Sequence, residues 1–323
     1  MQTEPLSQPR TLVEAIRYFA DPDVALHTMV ELRWPDGVHC PTCGRTDPRF
    51  ISTRRMWECK ENHPRRQFSA KVGTIFEDSP IDLGRWFAAV WMVANCKNGV
   101  SSYEMHRALG VTQKTAWFMD HRIRLAMRTG SFLKMSGEIE ADETFIGGLA
   151  KNMHKHERAR KITGTGGSGK EAVLGIVERG TEDRTSRIKT IHVPNVKRRT
   201  LAPEIRAAVE PGATIYTDAL KSYLGLSDAY THETVDHAIE FVRGNVHTNH
   251  VENFWSLLKR ALKGTYVSVD PAHLGRYVDE QTFRFNERDD NDGGRFRKVV
   301  SSVAGRRLTY KELISDGGTP TPN

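Results

Sequence analysis

Residues 138–146, Glu-Ile-Glu-Ala-Asp-Glu-Thr-Phe-Ile, mark the point at which the pattern of the chain changes. Before them, apolar residues recur mostly at helical spacing. After Gly137, short β-branched and apolar runs alternate with helical stretches. EIEADETFI, AVLGIVE, RIKTIHV and ATIYTD read as strands, with a fifth near Glu240–Val242. Helices are expected at about 200–209, 219–225, 250–263 and 271–289. This order predicts an α+β unit, a mixed five-stranded sheet flanked by helices. Gly147–Gly169 is basic and glycine-rich and reads as a long mobile loop.

Three carboxylates stand out by position. Asp142 lies in the first strand, Asp218 ends ATIYTD, and Glu252 opens the amphipathic helix HVENFWSLLKRALKG. On that helix Val251, Trp255, Leu258 and Leu262 form an apolar stripe, with Glu252, Lys259 and Lys263 along its edge. Two acids on neighbouring strands and one on a packing helix can hold a pair of divalent cations for phosphoryl transfer, which needs hard oxygen ligands close together. Lys259, almost two turns beyond Glu252, and Arg260 beside it would meet DNA phosphate. Acids at strand ends and helix starts are also commonplace, and Glu252 gains from the helix dipole in any case. Glu140 shares a strand face with Asp142 and is a rival ligand.

Upstream, residues 10–33 read as one helix. Cys40-Pro-Thr-Cys43 is then followed by Cys59 and His63, a set that suits a structural, tetrahedral zinc site. Cys96 lies in an apolar helical run and is expected to pack there. Residues 80–128 return to helical periodicity, broken near Asn98-Gly99 and at Gly110. The stretch from Gly99 to Trp117 has the anatomy of a helix-turn-helix, with Ser102 and Thr112 as caps and Gly110 at the turn. Gln113, Lys114 and Thr115 would then contact DNA from the start of the second helix. An ordinary helical hairpin has the same local pattern. His247, Thr248 and Asn249 precede the Glu252 helix, as DNA contacts or as caps. Tyr277, Phe283 and Phe285 read as core, and Arg284 and Asn286 as further DNA contacts.

The net charge of +7 and a pI near 9.2 favour a polyanionic partner. Residues 1–136 hold 19 Lys/Arg against 14 Asp/Glu, so the excess leans toward the zinc and helical segments. No 18-residue apolar window suggests a membrane span, and the N-terminus lacks a secretory pattern. A cytoplasmic, nucleoid-associated protein is expected. Gly164–Lys170 matches a G-x4-G-K phosphate loop, but Glu171 follows where Ser or Thr is needed, and a strand follows rather than a helix.

EADETFIGG, IYTDALKSY and HTNHVENFWSLLKRALKGTY, in that order, resemble the signature blocks of bacterial insertion-sequence DDE transposases of the ISXO-like group. CPTCGR…WECKENHPRRQFSAKVGTIFEDS resembles the zinc ribbon that those enzymes carry in front of the core. The resemblance implies a ribonuclease H-like core, Mg2+ or Mn2+ at two ions per active site, and Asp142, Asp218 and Glu252 as their ligands, with Lys259 completing the pattern. It departs in one place: relatives usually close the ribbon with a second C-x2-C, whereas here Cys59 is followed by His63. The expected organisation is an N-terminal helical segment (1–33), a zinc ribbon (34–78), a helix-turn-helix-like DNA-binding region (79–135), a catalytic domain (136–290) and a C-terminal extension and tail (291–323). Such an enzyme would act, as a homodimer on double-stranded DNA, by nicking transposon ends and joining the freed 3′-hydroxyls to target DNA. A zinc-dependent transcription regulator, or a ribonuclease H-like nuclease without strand transfer, are the alternatives.

Overall fold

Residues 138–146 form the central strand of a five-stranded sheet in the computed structural model, which describes residues 8–128, 133–148, 156, 167, 169–218, 221–223, 225–235 and 246–315. The chain divides into two compact units. One is built from the chain up to Arg128 and from Glu287 onward, the other from Thr129–Asn286.

In the first unit, α1 (Leu12–Tyr18) and α2 (Pro22–Arg33) replace the single helix expected over 10–33. Asp21 accepts from the Asp23 N–H and Pro22 occupies the first helical position, so the chain restarts a helix there instead of continuing one. Three short antiparallel strands follow, β1 (Arg49–Ile51), β2 (Met56–Glu58) and β3 (Gln67–Phe68). Trp57 pairs with Phe50 on one side and Phe68 on the other, and Trp34 packs edge-on at 5.8 Å. The helices α3 (Leu83–Asn95), α4 (Ser102–Leu109) and α5 (Gln113–Met127) come next. α3 is buried along most of its length, and burying each of its Trp and Phe side chains is worth roughly 1.5–3 kcal/mol or more. Its Phe87 and Trp91 meet Phe296 of α9 (Asp292–Ser301), a C-terminal helix not foreseen from the sequence. α10 (Tyr310–Ser315) adds Leu313 to Leu125 of α5. Cys96 is not packed within α3 but exposed at its C-cap.

The second unit holds β4 (Glu138–Ile146), β5 (Glu171–Glu178), β6 (Arg187–Val193), β7 (Thr214–Asp218) and β8 (Thr231–Val235), in the order β6-β5-β4-β7-β8. The β4–β5 and β5–β6 pairs are antiparallel; β4–β7 and β7–β8 are parallel. The fifth strand is thus Thr231–Val235, and the expected strand near 240–242 falls outside the described residues, as does most of the expected loop over 147–169. Where a helix was expected over 219–225, the described residues form a 3-10 turn at Lys221–Tyr223. Strand alternation separates two cores. Ile139, Ala141 and Ile215 pack with Leu201 and Ile205 of α6 (Arg198–Ala208). Val173, Val177 and Ile188 pack with α7 (Asn249–Gly264) and α8 (Leu274–Asn286) on the other face.

Tyr277, Phe283 and Phe285 are buried, as expected. Arg284 and Asn286 are not placed for DNA. Arg284 is buried and bonded to Glu280 and Gln281. Asn286 accepts from the Ile188 N–H at 2.8 Å and donates to its carbonyl at 2.9 Å, tying α8 to β6. Asn286→Ala is therefore expected to destabilise the fold by about 1–3 kcal/mol, the cost of stranding buried polar groups, with DNA affinity unchanged. Denaturant titration and a DNA-binding titration check this; weaker DNA binding at unaltered stability would contradict it.

Candidate functional site

Two strands bring two acids to one edge. β4 and β7 run parallel with Ala141 opposite Thr217, so the next residues, Asp142 and Asp218, are neighbours at the end of the pair and on the same face. α7 lies over this face. Its Trp255 is buried, and the indole Nε1–H donates to Asp142 Oδ2 at 2.8 Å. Glu252, one turn earlier, is exposed and accepts from the Thr248 hydroxyl at 3.0 Å. Burial pushes the Asp142 carboxyl up to about 6, the indole bond opposes this, and the nearby charges of Asp218 and Glu252 add to it. The three acids named from the sequence thus share this face, with Asp218 and Glu252 near enough for their charges to act on Asp142.

Glu143 was not singled out in the sequence. It points to the other side of β4, where the Tyr223 hydroxyl donates to it at 2.5 Å. Burial, with Asp142 and Asp218 close by, pushes Glu143 up to about 7. Its only sequence signal is its place beside Asp142.

Glu140, the rival ligand, is engaged elsewhere. It is fully buried, and its Oε2 accepts from the backbone N–H groups of His250 (2.9 Å) and Val251 (3.1 Å) in the first turn of α7. Its Oε1 takes Arg179 Nε at 2.8 Å and His250 Nδ1 at 2.7 Å. Glu140, His247 and His250 offer ligand atoms within 4.8 Å of one another, but the guanidinium already compensates the carboxylate there. Arg179 also donates to the His247 carbonyl at 2.9 Å and lies 4.3 Å from the centre of the Tyr216 ring. Burial and Arg179 push His247 below its usual range, so it is neutral near pH 7.

In the other unit, Cys40, Cys43, Cys59 and His63 converge so that one ligand atom from each lies within 4.8 Å of the rest. Cys40 Sγ is 3.4 Å from His63 Nε2, and Cys43 Sγ is 3.5 Å from Cys59 Sγ. Tetrahedral zinc with two such ligand types requires separations of about 3.5–3.8 Å. The donor set fits in chemistry as well. Burial would raise the Cys40 thiol, but the N–H groups of Cys43 and Thr42 and the neighbouring thiols bring it down to about 7. With the His63 Nδ1 proton on the Pro64 carbonyl (2.6 Å), Nε2 is left to face the sulfurs. The cluster fits a structural zinc, with His63 placed to serve as the fourth ligand where relatives usually have a second C-x2-C.

Residues 134–286 match the ISXO2-like transposase domain, and residues 21–63 match the transposase zinc-ribbon domain. A transposase-like protein of Haemophilus influenzae is 33% identical over 105 residues, which cover 32% of this chain and 84% of that one. The chain belongs to the ISXO2-like DDE transposase family. A protein in transposable element ISH50 of Halobacterium salinarum is 28% identical over 263 residues, 76% of this chain and 85% of the relative. No solved structure matches the chain. The mixed sheet with its helices is accordingly a ribonuclease H-like transposase core behind an N-terminal zinc ribbon, and the family ties the chain to transposition and to DNA. Among the described residues no helix is long and apolar enough to cross a membrane.

The remaining DNA candidates of this transposase divide by exposure. On α7, Arg260 and Asn249 are exposed and Lys259 is half-buried. In the α4–α5 hairpin, Gly110 turns the chain at φ +64°, and the first cap is Ser101, in a capping box with Glu104, rather than Ser102. Thr112 caps α5 through the Thr115 N–H. Gln113 donates to the Ser102 hydroxyl at 2.9 Å, and the Thr115 hydroxyl bonds to that of Thr112 at 2.8 Å. Lys114 is exposed but sits 4.5 Å from the centre of the Tyr310 ring. Cys43→Ser removes one of the four ligands and is expected to release zinc and unfold the ribbon, with the α/β unit still folded. Elemental analysis and a melting curve check this; a zinc-free wild-type protein with an intact ribbon would refute it.

Proposed function

We propose that the chain is a DDE-type transposase that binds transposon ends, nicks them by divalent-cation-dependent hydrolysis and joins the 3′-hydroxyls to target DNA. Asp142, Asp218 and Glu252 would hold Mg2+ or Mn2+, two ions per site. The observation that carries this is the convergence of the three carboxylates from β4, β7 and α7 on one face. These hard oxygen donors suit such cations. Burial is the main cause of the raised Asp142 carboxyl, and the neighbouring charges of Asp218 and Glu252, which a cation would offset, add to it. When bound, the ions supply charge neutralisation at the scissile phosphate and activation of the attacking hydroxyl.

The protein's own groups do the rest. Lys259 lies on the side of α7 that carries Glu252 and would hold DNA phosphate beside the acids, with Arg260 and Asn249 further along the exposed side. The α4–α5 hairpin would dock the ends, Gln113, Lys114 and Thr115 lying in the first turn of its second helix. Lys114 would leave the Tyr310 ring to reach phosphate.

Asp218→Asn keeps the shape of the side chain but removes charge. Since cations at such a site stabilise the transition state by several kcal/mol, it should lower Mg2+-dependent cleavage of labelled end DNA at least about a hundredfold while end binding persists. Cleavage at the wild-type rate would overturn the site. Lys259→Ala should also make end binding less steeply salt-dependent, by about 0.9 in the logarithmic slope for one phosphate contact. An unchanged slope with unchanged cleavage would put Lys259 outside the interface.

A further inference from the structure

The clearest second layer around the acids is a glycine, an indole and a carboxylate in line. In the β4–β5 ladder Gly175 stands directly opposite Asp142. A Cβ built on Gly175 would lie 2.6 Å from Trp255 Cζ2, 2.9 Å from Cη2 and 2.9 Å from Val251 Cγ2. Its backbone is not in the left-handed region, so conformation does not require glycine there. What requires it is the close approach of α7 to the sheet. Into that space goes the Trp255 indole, and its N–H reaches Asp142 Oδ2.

We infer that Trp255 is a positioning residue of the transposase site, orienting the Asp142 carboxylate toward the bound cation, and that Gly175 is the space that admits it. The inference rests on Asp142 being a cation ligand, as proposed above. An indole N–H is donor only, so it pairs with the carboxylate oxygen and cannot compete for the cation. A bond from a fixed, buried ring holds the carboxylate plane in place and favours its charged form, the form that binds metal. Asp218 lies at the strand end and Glu252 at an exposed helix turn. Asp142 is thus held by a rigid, buried ring.

A purely packing role for Trp255 predicts that ring shape alone matters. Replacing Trp255 by β-(3-benzothienyl)alanine preserves the two fused rings and removes the N–H. Full-length protein with its zinc, free of DNA, is titrated with Mn2+ and the free-ion electron paramagnetic resonance signal is read. The analogue is expected to bind Mn2+ roughly ten- to a hundredfold more weakly, the usual effect of removing an outer-shell partner, with its melting temperature nearly unchanged. Gly175→Ala, which displaces the indole, should weaken Mn2+ binding likewise, and Asp142→Asn more strongly. Wild-type Mn2+ affinity in the benzothienyl protein, with affinity lost in Asp142→Asn, overturns the positioning role and leaves the ligand assignment standing. Wild-type affinity in Asp142→Asn overturns the ligand assignment and the inference with it.

Discussion

A carboxylate without exposed surface organises the face that carries Asp142, Asp218 and Glu252. Glu140 is the third residue of the central strand, and leaving its charge buried and unpaired would cost several kcal/mol. Arg179 neutralises it, and two N–H groups from the first turn of α7 satisfy its second oxygen. Those N–H groups have no partner within their own helix, so one carboxylate meets both needs. The start of α7 is thereby fixed against β4. Glu252, in that first turn, and Trp255, in the next, are thereby directed to the face that carries Asp142. Removing the Glu140 charge would strand Arg179, at a cost of about 3–5 kcal/mol for a broken buried pair.

The same geometry shows why the acids themselves are not there for stability. The folded-state carboxyl of Asp142 titrates near 6, above its ordinary range. The folded protein therefore binds this proton more readily than the unfolded chain does. Without a cation the group favours the fold most at low pH and progressively less as pH rises from about 4 to about 6. Glu143, pushed to about 7 on the opposite side of the strand, behaves in the same direction up to that pH. A bound cation reverses the balance. The zinc ribbon makes the complementary case: three strands of two or three residues and a Trp34–Trp57–Phe68 cluster enclose too little apolar surface to hold the segment alone.

Much of this was legible from residue pattern, and the gaps have physical causes. Short β-branched and apolar runs identified β4, β5, β6 and β7, and helical spacing identified the α7 stripe. β8 was missed because Thr231–Val235 is a polar strand, paired on one side only among the described residues. The break at Pro22 was overridden by an apolar repeat that runs through both α1 and α2. Glu140 and Asp142 could not be separated from sequence, since residues two apart on a strand share a face; only the arrival of Arg179 and the α7 N–H groups distinguishes them. Asn286 read as a DNA contact because nothing local reveals that its partner is Ile188, far away in the chain. The family blocks carried the assignment of the fold, while the positions of Glu143, Tyr223 and Gly175 around the acids required the three-dimensional register.

In the proposed site, Asp142, Asp218 and Glu252 share divalent cations while Glu140, His247 and His250 do not. Replacing Mg2+ by Fe2+ and adding ascorbate and peroxide cuts the polypeptide next to bound iron. Backbone cuts are expected to cluster at residues 142, 218 and 252, to be suppressed by excess Mg2+ and to be lost in Asp218→Asn. Cuts clustered instead at residues 140, 247 and 250, or none suppressed by Mg2+, would contradict it.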